Sequence, residues 1–406
     1  MEDRPLKQFI RFGAAVAAVG LLAGACSSGS KSGTSSAPTT ASGSSATTAA
    51  SSGSGSGGGS GVAQATALIN KYLGNPSFDS PGPTVNATAL KGKTIFSIPA
   101  SSSVAFVNTV DQVMGQYAKK LGINYTDYPN QQQQSQWVQG MDQAISSHVD
   151  AIDLLAGIPP EQLAPQIQQA KAAGIPVVDT NERDASQPTQ SYVAAYAFAP
   201  FNLAGQLMAA WAVEQTQGKA DVLVVTSNAD VSSQAVQDGV NSEMQKACPS
   251  CKVSAVNVNP VDWATKLQTT VEGKLSSDPG INYILPVFDS MAQFIAPAIV
   301  AAGKSGQVHV ASFNGTPAIL DMIRTGDVVT MDVGENTADV AAAGLDQLMR
   351  VMAKMPPGNE KINVRVLDKN NVKDAGVPAQ NGQGYGNAFL QGYAKTWGVS
   401  PSVLGG

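Results

Sequence analysis

Short apolar runs alternate with helix-period segments along most of this chain. Runs rich in β-branched residues recur at Thr94–Ile98, Ile123–Tyr128, Ala151–Leu155, Val177–Thr180 and Ser191–Ala195. A second set follows at Asp221–Thr226, Val253–Val258, Asn282–Phe288, Val308–Phe313 and Val329–Val333. Between them lie segments with one apolar face at helical spacing, such as Phe106, Val110, Val113, Met114, Tyr117 and Leu121. "AGIPVVD" and "SGQVHVASFNG" each put a glycine after a helix and a strand just beyond, a helix-stop signal. Strands alternating with helices of this length predict βαβ units and parallel sheets, and two runs of about five units predict two such domains.

The ends of the chain break this rhythm. Arg4, Lys7 and Arg11 precede an apolar, small-residue run from Phe12 to Ala25. That run is too short to span a bilayer and reads as an export signal. It stops at Leu22-Ala23-Gly24-Ala25-Cys26, which resembles a bacterial lipobox and implies a lipid on Cys26. An ordinary secretory signal with a stray cysteine is the alternative. Residues 27–61 are almost entirely Ser, Gly, Thr and Ala, cannot bury apolar surface, and predict a tether reaching roughly 30 Å. The expected order is signal 1–25, lipidated cysteine and tether 26–61, an N-terminal extension 62–93 carrying "AQATALINKYL", and then the body. A hinge return and C-terminal extension follow at 363–406, with "YGNAFLQGYAKTWGV" as an amphipathic helix. Both extensions are expected on the outside of the lobes.

A formal net charge of −5 leaves no basic patch for nucleic acid. Of three cysteines, Cys248 and Cys251 in "KACPSCKV" remain once Cys26 is assigned to the anchor. With no second pair and no histidine nearby, an exported chain would join them in a local disulfide rather than use them for metal or thiol catalysis.

In open α/β sheets ligands sit beyond the carboxyl ends of the strands. After the first predicted strand come Ser101, Ser102 and Ser103, then Phe106 on a helix. After the fourth come Asn181, Glu182 and Arg183. After "DVLVVT" come Ser227 and Asn228, with Ser232, Ser233 and Gln234 at the next helix start. "VNPVDWATK" puts Asp262 and Trp263 at another strand end; Asp289, Asn314 and Glu335 follow three more. Each has a structural alternative: Asn314-Gly315 is a turn pair, Asp262 and Asp289 are helix N-caps, Trp263 is core. Together they line one crevice with amides, hydroxyls and carboxylates beside flat rings, the surface a hydroxyl-rich ligand needs. Such a stacking role for Trp263 expects an indole partly open to solvent in the open, ligand-free form.

From Lys93 to Val372 the chain resembles the sugar-binding proteins of ABC importers, of the ribose-binding type, akin to the ligand core of lac-repressor relatives. The carriers are the element order, "SFNGTPAILDMIRTGDVVTMDVGENTADV", "AKAAGIPVVDTNER" and "NPVDWATK". The resemblance implies an α/β fold of two doubly wound parallel-sheet lobes joined by a three-stranded hinge, the type I periplasmic binding protein. Lobe 1 would hold 94–195 plus 336–362 and lobe 2 would hold 200–331, with crossings near 195–199, 332–336 and 364–368. The implied ligand-binding residues are Ser102, Ser103, Phe106, Asn181, Arg183, Gln234, Trp263, Asp289 and Asn314. Asn314 stands where the family has an acid, Gln234 where it has an arginine, and Phe288 where it has an asparagine. The pocket is therefore less charged and more apolar than a ribose site.

The expected function is a substrate-binding lipoprotein, anchored on the outer face of the cell membrane, that takes a sugar or polyol from its cleft to an ABC permease. It is expected to be a monomer without cofactor or metal. A sensory receptor subunit is the alternative. An exported glycosidase would need its carboxylate pair among Asp262, Asp289, Asp332 and Glu335. It is disfavoured by two histidines off the predicted cleft and by the absence of a G-x-S-x-G elbow, metal spacing or phosphate loop. A transcriptional regulator is disfavoured by the export signal.

Overall fold

The computed structural model describes residues 57–326 and 328–405. The predicted signal, Cys26 and most of the tether lie outside the described residues. Helix α1 (Gly57–Asn70) comes first. Strand β1 (Thr94–Pro99) is followed by α2 (Ala105–Lys120), β2 (Asn124–Asp127), α3 (Gln134–Ser146), β3 (Ala151–Leu155), α4 (Ala164–Ala172), β4 (Val177–Thr180) and β5 (Ala195–Ala197). Then come α5 (Phe201–Gln215), β6 (Asp221–Thr226), α6 (Val231–Ala247), β7 (Lys252–Asn257), α7 (Trp263–Ser277), β8 (Tyr283–Pro286), α8 (Asp289–Ala301), β9 (His309–Asn314), α9 (Pro317–Thr325) and β10 (Val329–Glu335). The chain closes with α10 (Thr337–Met352), β11 (Val364–Asp368), α11 (Ala388–Thr396) and α12 (Pro401–Leu404).

The strands form two sheets, one per lobe, in the orders β2-β1-β3-β4-β5 and β11-β10-β9-β8-β6-β7. Both are parallel except that β11 runs antiparallel to β10, a departure from the purely parallel expectation. Helices cover both faces, so central strands bury every side chain: Val222, Leu223, Val224 and Val225 of β6 are all at 0% exposure. Each such residue contributes roughly 1.5–3 kcal/mol relative to staying in water. The apolar face read for α2 is the buried one, with Phe106, Val110, Met114 and Tyr117 inside.

The strand predicted at Ser191–Ala195 forms later and shorter, at Ala195–Ala197. Tyr196 Oη and Gln190 bond each other, and Val193 N–H closes a turn on Gln190 O, so the chain is not extended until Ala194 pairs with Val177.

The body crosses between lobes after β5, between β10 and α10, and between α10 and β11. Helix α10 packs on α2, β4 and β5 of the first lobe, whereas β10 and β11 lie in the second sheet. The extensions add two further crossings. Helix α1 packs on α5 and α6, and Tyr72 O then accepts from Val366 N at 2.8 Å on β11. The following segment reaches the first lobe, where Asn359 N donates to Pro81 O and Val85 N donates to Thr396 O, both at 2.8 Å.

Each extension packs onto the body through one apolar face, and in α1 Ala63, Gln64, Ala67 and Asn70 stay exposed. Trp397 and Tyr393 are at 0% and 1% exposure, and Ala65 and Ile69 of α1 are buried in the same core. The predicted tether runs five residues too far, because α1 starts at Gly57. A Cβ on Gly61 would collide with Ala247 O, so a glycine read as flexible is a close-packing position against α6. Cys248 and Cys251, at the end of α6, are joined by a disulfide.

Candidate ligand-binding site

The carboxyl ends of both sheets face one cavity. From the first lobe it is lined by Ala100, Ser101, Val104, Phe106, Gln132, Ala156, Gly157 and Asn181. From the other side it is lined by Phe201, Asp230, Ser232, Trp263, Phe288, Ser290 and Asn314. Its volume is about 60 Å³, room for roughly two waters and well below the roughly 300–1,000 Å³ of ordinary ligand pockets.

Backbone strain concentrates here. Among the described residues seven non-glycine positions have positive φ. Three of them, His148, Gln217 and Lys354, lie just past the ends of α3, α5 and α10, where a left-handed residue terminates a helix. The other four, Gln132 at 61°, Ala156 at 52°, Asn181 at 58° and Asn314 at 131°, all line the cavity. Conformations of this kind cost about 1–3 kcal/mol each and collect at ligand clamps.

Of the nine predicted binding residues, the cavity brings together Phe106, Asn181, Trp263 and Asn314. Asn181 Nδ2 donates to Glu335 Oε1 at 2.8 Å, which fixes the amide against the crossing strand. Burial pushes the Glu335 carboxyl up to about 8, against the bond from Asn181, and its Oε2 has no partner. Asn314 Oδ1 accepts from Asp289 N at 3.4 Å.

Trp263 sits on the first turn of α7 and is 9% exposed. Its Nε1–H is held by Val258 O at 2.8 Å, and its ring centroid lies 6.4 Å from that of Phe288. It is therefore both wall and core. The turn anchors the polar edge of the indole and leaves its carbon surface to the cavity.

The other five do not line this cavity. Arg183 is turned into its own lobe: Nη2 meets both oxygens of Glu161 at 2.8 and 2.7 Å, Nε meets Asp179 at 3.4 Å, and Nη1 donates to Pro188 O at 2.9 Å. Asp289 is 2% exposed and accepts from Ser312 Oγ, Thr316 N and Thr316 Oγ1 within 2.7 Å, so it ties α8 to the start of α9. Gln234 is exposed on α6 and donates to Asp238 at 2.8 Å. Ser102 Oγ accepts from Asn130 N at 3.1 Å, and Ser103 Oγ bonds Ser101 Oγ at 2.8 Å; both organise the loop whose Ser101 lines the cavity.

Sequence reasoning missed Gln132, Ala156-Gly157, Phe201 and Asp230 as lining. The first two follow β2 and β3, so the same strand-end rule applied to those strands would have found them. Asp230 precedes α6; Ser227 Oγ donates to its Oδ2 at 2.5 Å, and burial lifts it to about 6 despite that bond. Phe201 follows a crossing and carried no local signal. Among the described residues no cluster of His, Cys, Asp or Glu is arranged to hold a metal, and no helix is long and apolar enough to cross a membrane.

With this geometry in place, comparison with known proteins gives a consistent picture. Residues 95–355 match the family model described as the periplasmic binding protein domain. A D-allose-binding periplasmic protein of Escherichia coli is 31% identical over 127 residues, 31% of this chain and 40% of that protein's length. A D-ribose/D-allose-binding protein of Pseudomonas aeruginosa is 25% identical over 226 residues, 55% of this chain and 70% of that protein. Among solved structures, an ABC transporter solute-binding protein from Agrobacterium vitis with bound allitol superposes at a TM-score of 0.63. It has 18% identity and covers 70% of this chain and 98% of its own. One from Mycobacterium smegmatis with bound glycerol gives 0.62 at 16% identity, covering 75% and 99%. At such identities the structures speak for the fold.

Proposed function

The chain belongs to the periplasmic binding protein family, and we propose that it is an extracytoplasmic substrate-binding protein of an ABC importer. It closes its two lobes on a small hydroxylated solute, a sugar or polyol, and presents the closed form to a permease. The single observation that carries this reading is the gathering of every positive-φ non-glycine residue not ending a helix, among the described residues, on the walls of the inter-lobe cavity beside Trp263 and Phe288. That strain is worth holding where ligand atoms compensate it. The relatives named for allose and ribose, and the structures with allitol and glycerol, support the solute class. The mature protein works as a monomer on a lipid anchor at Cys26.

A thermal-shift panel of sugars and polyols on the mature protein tests the reading. A solute at 100 times its Kd adds about 2.7 kcal/mol of stability, a plainly visible shift. A flat panel, with no change in indole fluorescence, would sink it. The anchor is tested separately: Cys26→Ser should release the protein from membranes and end its labelling with palmitate.

A further inference from the structure

One carboxyl beside the cleft has no side-chain partner. Glu182 is 1% exposed, and no side chain hydrogen-bonds to either carboxylate oxygen; only the Val231 amide pulls on it. A Cβ built on cavity-lining Gly157 would lie 3.9 Å from Glu182 Oε2 and 3.9 Å from Asp230 Oδ1. A carboxyl group from each lobe thus converges on the same stretch of wall. Asp230 spends Oδ2 on Ser227 and turns Oδ1 to this side.

Buried carboxyls need a proton, a donor or a cation. The nearby cation, Arg183, is already committed to Glu161 and Asp179. One guanidinium therefore stands against four carboxyl groups, Glu161, Asp179, Glu182 and Asp230. Asp153, the next acid inward on β3, accepts from Thr180 Oγ1 and adds no cation. No Lys, Arg or His lines the cavity. What does line it, besides short polar groups, is four rings: Phe106, Phe201, Trp263 and Phe288. Uncompensated carboxylates beside aromatic faces are the surroundings in which proteins hold an ammonium group.

We propose that the cleft is completed by a solute carrying a basic nitrogen among its hydroxyls, an amino sugar or amino polyol, whose ammonium lies between Glu182 and Asp230. This rests on the cleft being the solute site. Burial, then Asp179 and Asp230, holds the Glu182 carboxyl well above its ordinary range, against smaller pulls from Arg183 and the Val231 amide. An arriving ammonium reverses that balance, whereas a neutral solute leaves the carboxyl protonated or bare.

The test is calorimetric titration of the mature protein at pH 7 with matched pairs: D-glucosamine and D-glucose, D-galactosamine and D-galactose, D-mannosamine and D-mannose, serinol and glycerol. In at least one pair the amine should bind at least about 10-fold tighter, and N-acetylation should abolish the gain. Glu182→Gln and Asp230→Asn, each checked for a native melting transition, should bring that pair to within about 3-fold. Neutral members binding as tightly as their amines in every pair that binds, or a preference surviving both substitutions, overturns the inference and leaves the solute-binding reading standing. Silence from both members of every pair overturns both.

Discussion

The two lobes bring different materials to the same cavity. The first lobe brings backbone held at positive φ, at Gln132, Ala156 and Asn181, with the buried Glu182 carboxyl just behind Gly157. The second brings the rings of Trp263 and Phe288, and the one polar atom of that indole is already bonded within its own turn. A strained, polar wall gains only when polar ligand atoms arrive in register with it. A ring wall gains from any C–H face laid against it. Discrimination between solutes therefore belongs mainly to the first lobe and general affinity to the second. The exceptions on the second side are Asn314, a strained amide, and the carboxyl of Asp230.

The largest effect expected is at Trp263. At 9% exposure, Trp263→Ala should cost about 3–5 kcal/mol of stability, as truncation of large buried aromatics does. It should also weaken every solute the protein binds by on the order of 10- to 100-fold, without reordering their preference. Denaturant melts and titration calorimetry read the two losses separately. A variant that folds when cooled and binds as well as the native chain would make the ring core alone.

Next in size is the dependence of stability on pH, which weights the first lobe. Burial holds Asp153 up to about 7 and Asp179 up to about 8 on the first sheet, and Glu335 up to about 8 at the crossing. These acids keep protons in the folded chain that the unfolded chain releases near pH 4. Their stabilisation is complete below about pH 4 and is lost as pH rises through about 7 to 8. The melting temperature should accordingly be lower at pH 8 than at pH 5, by on the order of 5 °C. Asp153→Asn should flatten that slope. A melting temperature that climbs from pH 5 to pH 8 would contradict it.

Strain itself is probed at Asn181. Asn181→Ala and Asn181→Gly both lose the 2.8 Å bond to Glu335. Only alanine must also hold a left-handed backbone, so it should be the less stable of the two by about 1 kcal/mol. Equal stabilities would show that the loop relaxes and that the first lobe stores no strain there.

Much of the fold was legible because strand burial follows from short-range pattern: nine of ten predicted strands overlap an observed one at nearly the predicted place. The tenth, at Ser191–Ala195, failed because a Tyr196 hydroxyl bond, invisible in local pattern, decides where pairing starts. The helix opening at Gly57 was hidden for a related reason. Its Gly61 serves a neighbour almost two hundred residues away, so composition reported flexibility where tertiary packing imposes order. The site was half legible. The strand-end rule locates loops, and it placed Phe106, Asn181, Trp263 and Asn314 correctly on the cavity wall. It cannot say which way a side chain turns once there. Arg183 and Glu182 are adjacent, yet Glu161 captures the first and no side chain captures the second.

Gln234 gives the smallest expected effect and the cleanest check on that limit. Resemblance puts it where the family has a ligand-binding arginine, but here it is exposed and bonded to Asp238, four residues on along α6. A pair of this kind on a helix surface is worth about 0.2–0.5 kcal/mol. Gln234→Ala should therefore leave the melting temperature within about 1 °C and solute affinity unchanged. Ser232, two residues earlier and 3% exposed, does line the cavity. Ser232→Ala removes a hydroxyl from the wall and should weaken a hydroxylated solute by about 5- to 10-fold, the worth of one neutral hydrogen bond. If Gln234→Ala cut affinity more than Ser232→Ala, the helix start would have to turn as the lobes part, bringing Gln234 into the open cleft. The second lobe would then discriminate between solutes as well as hold them.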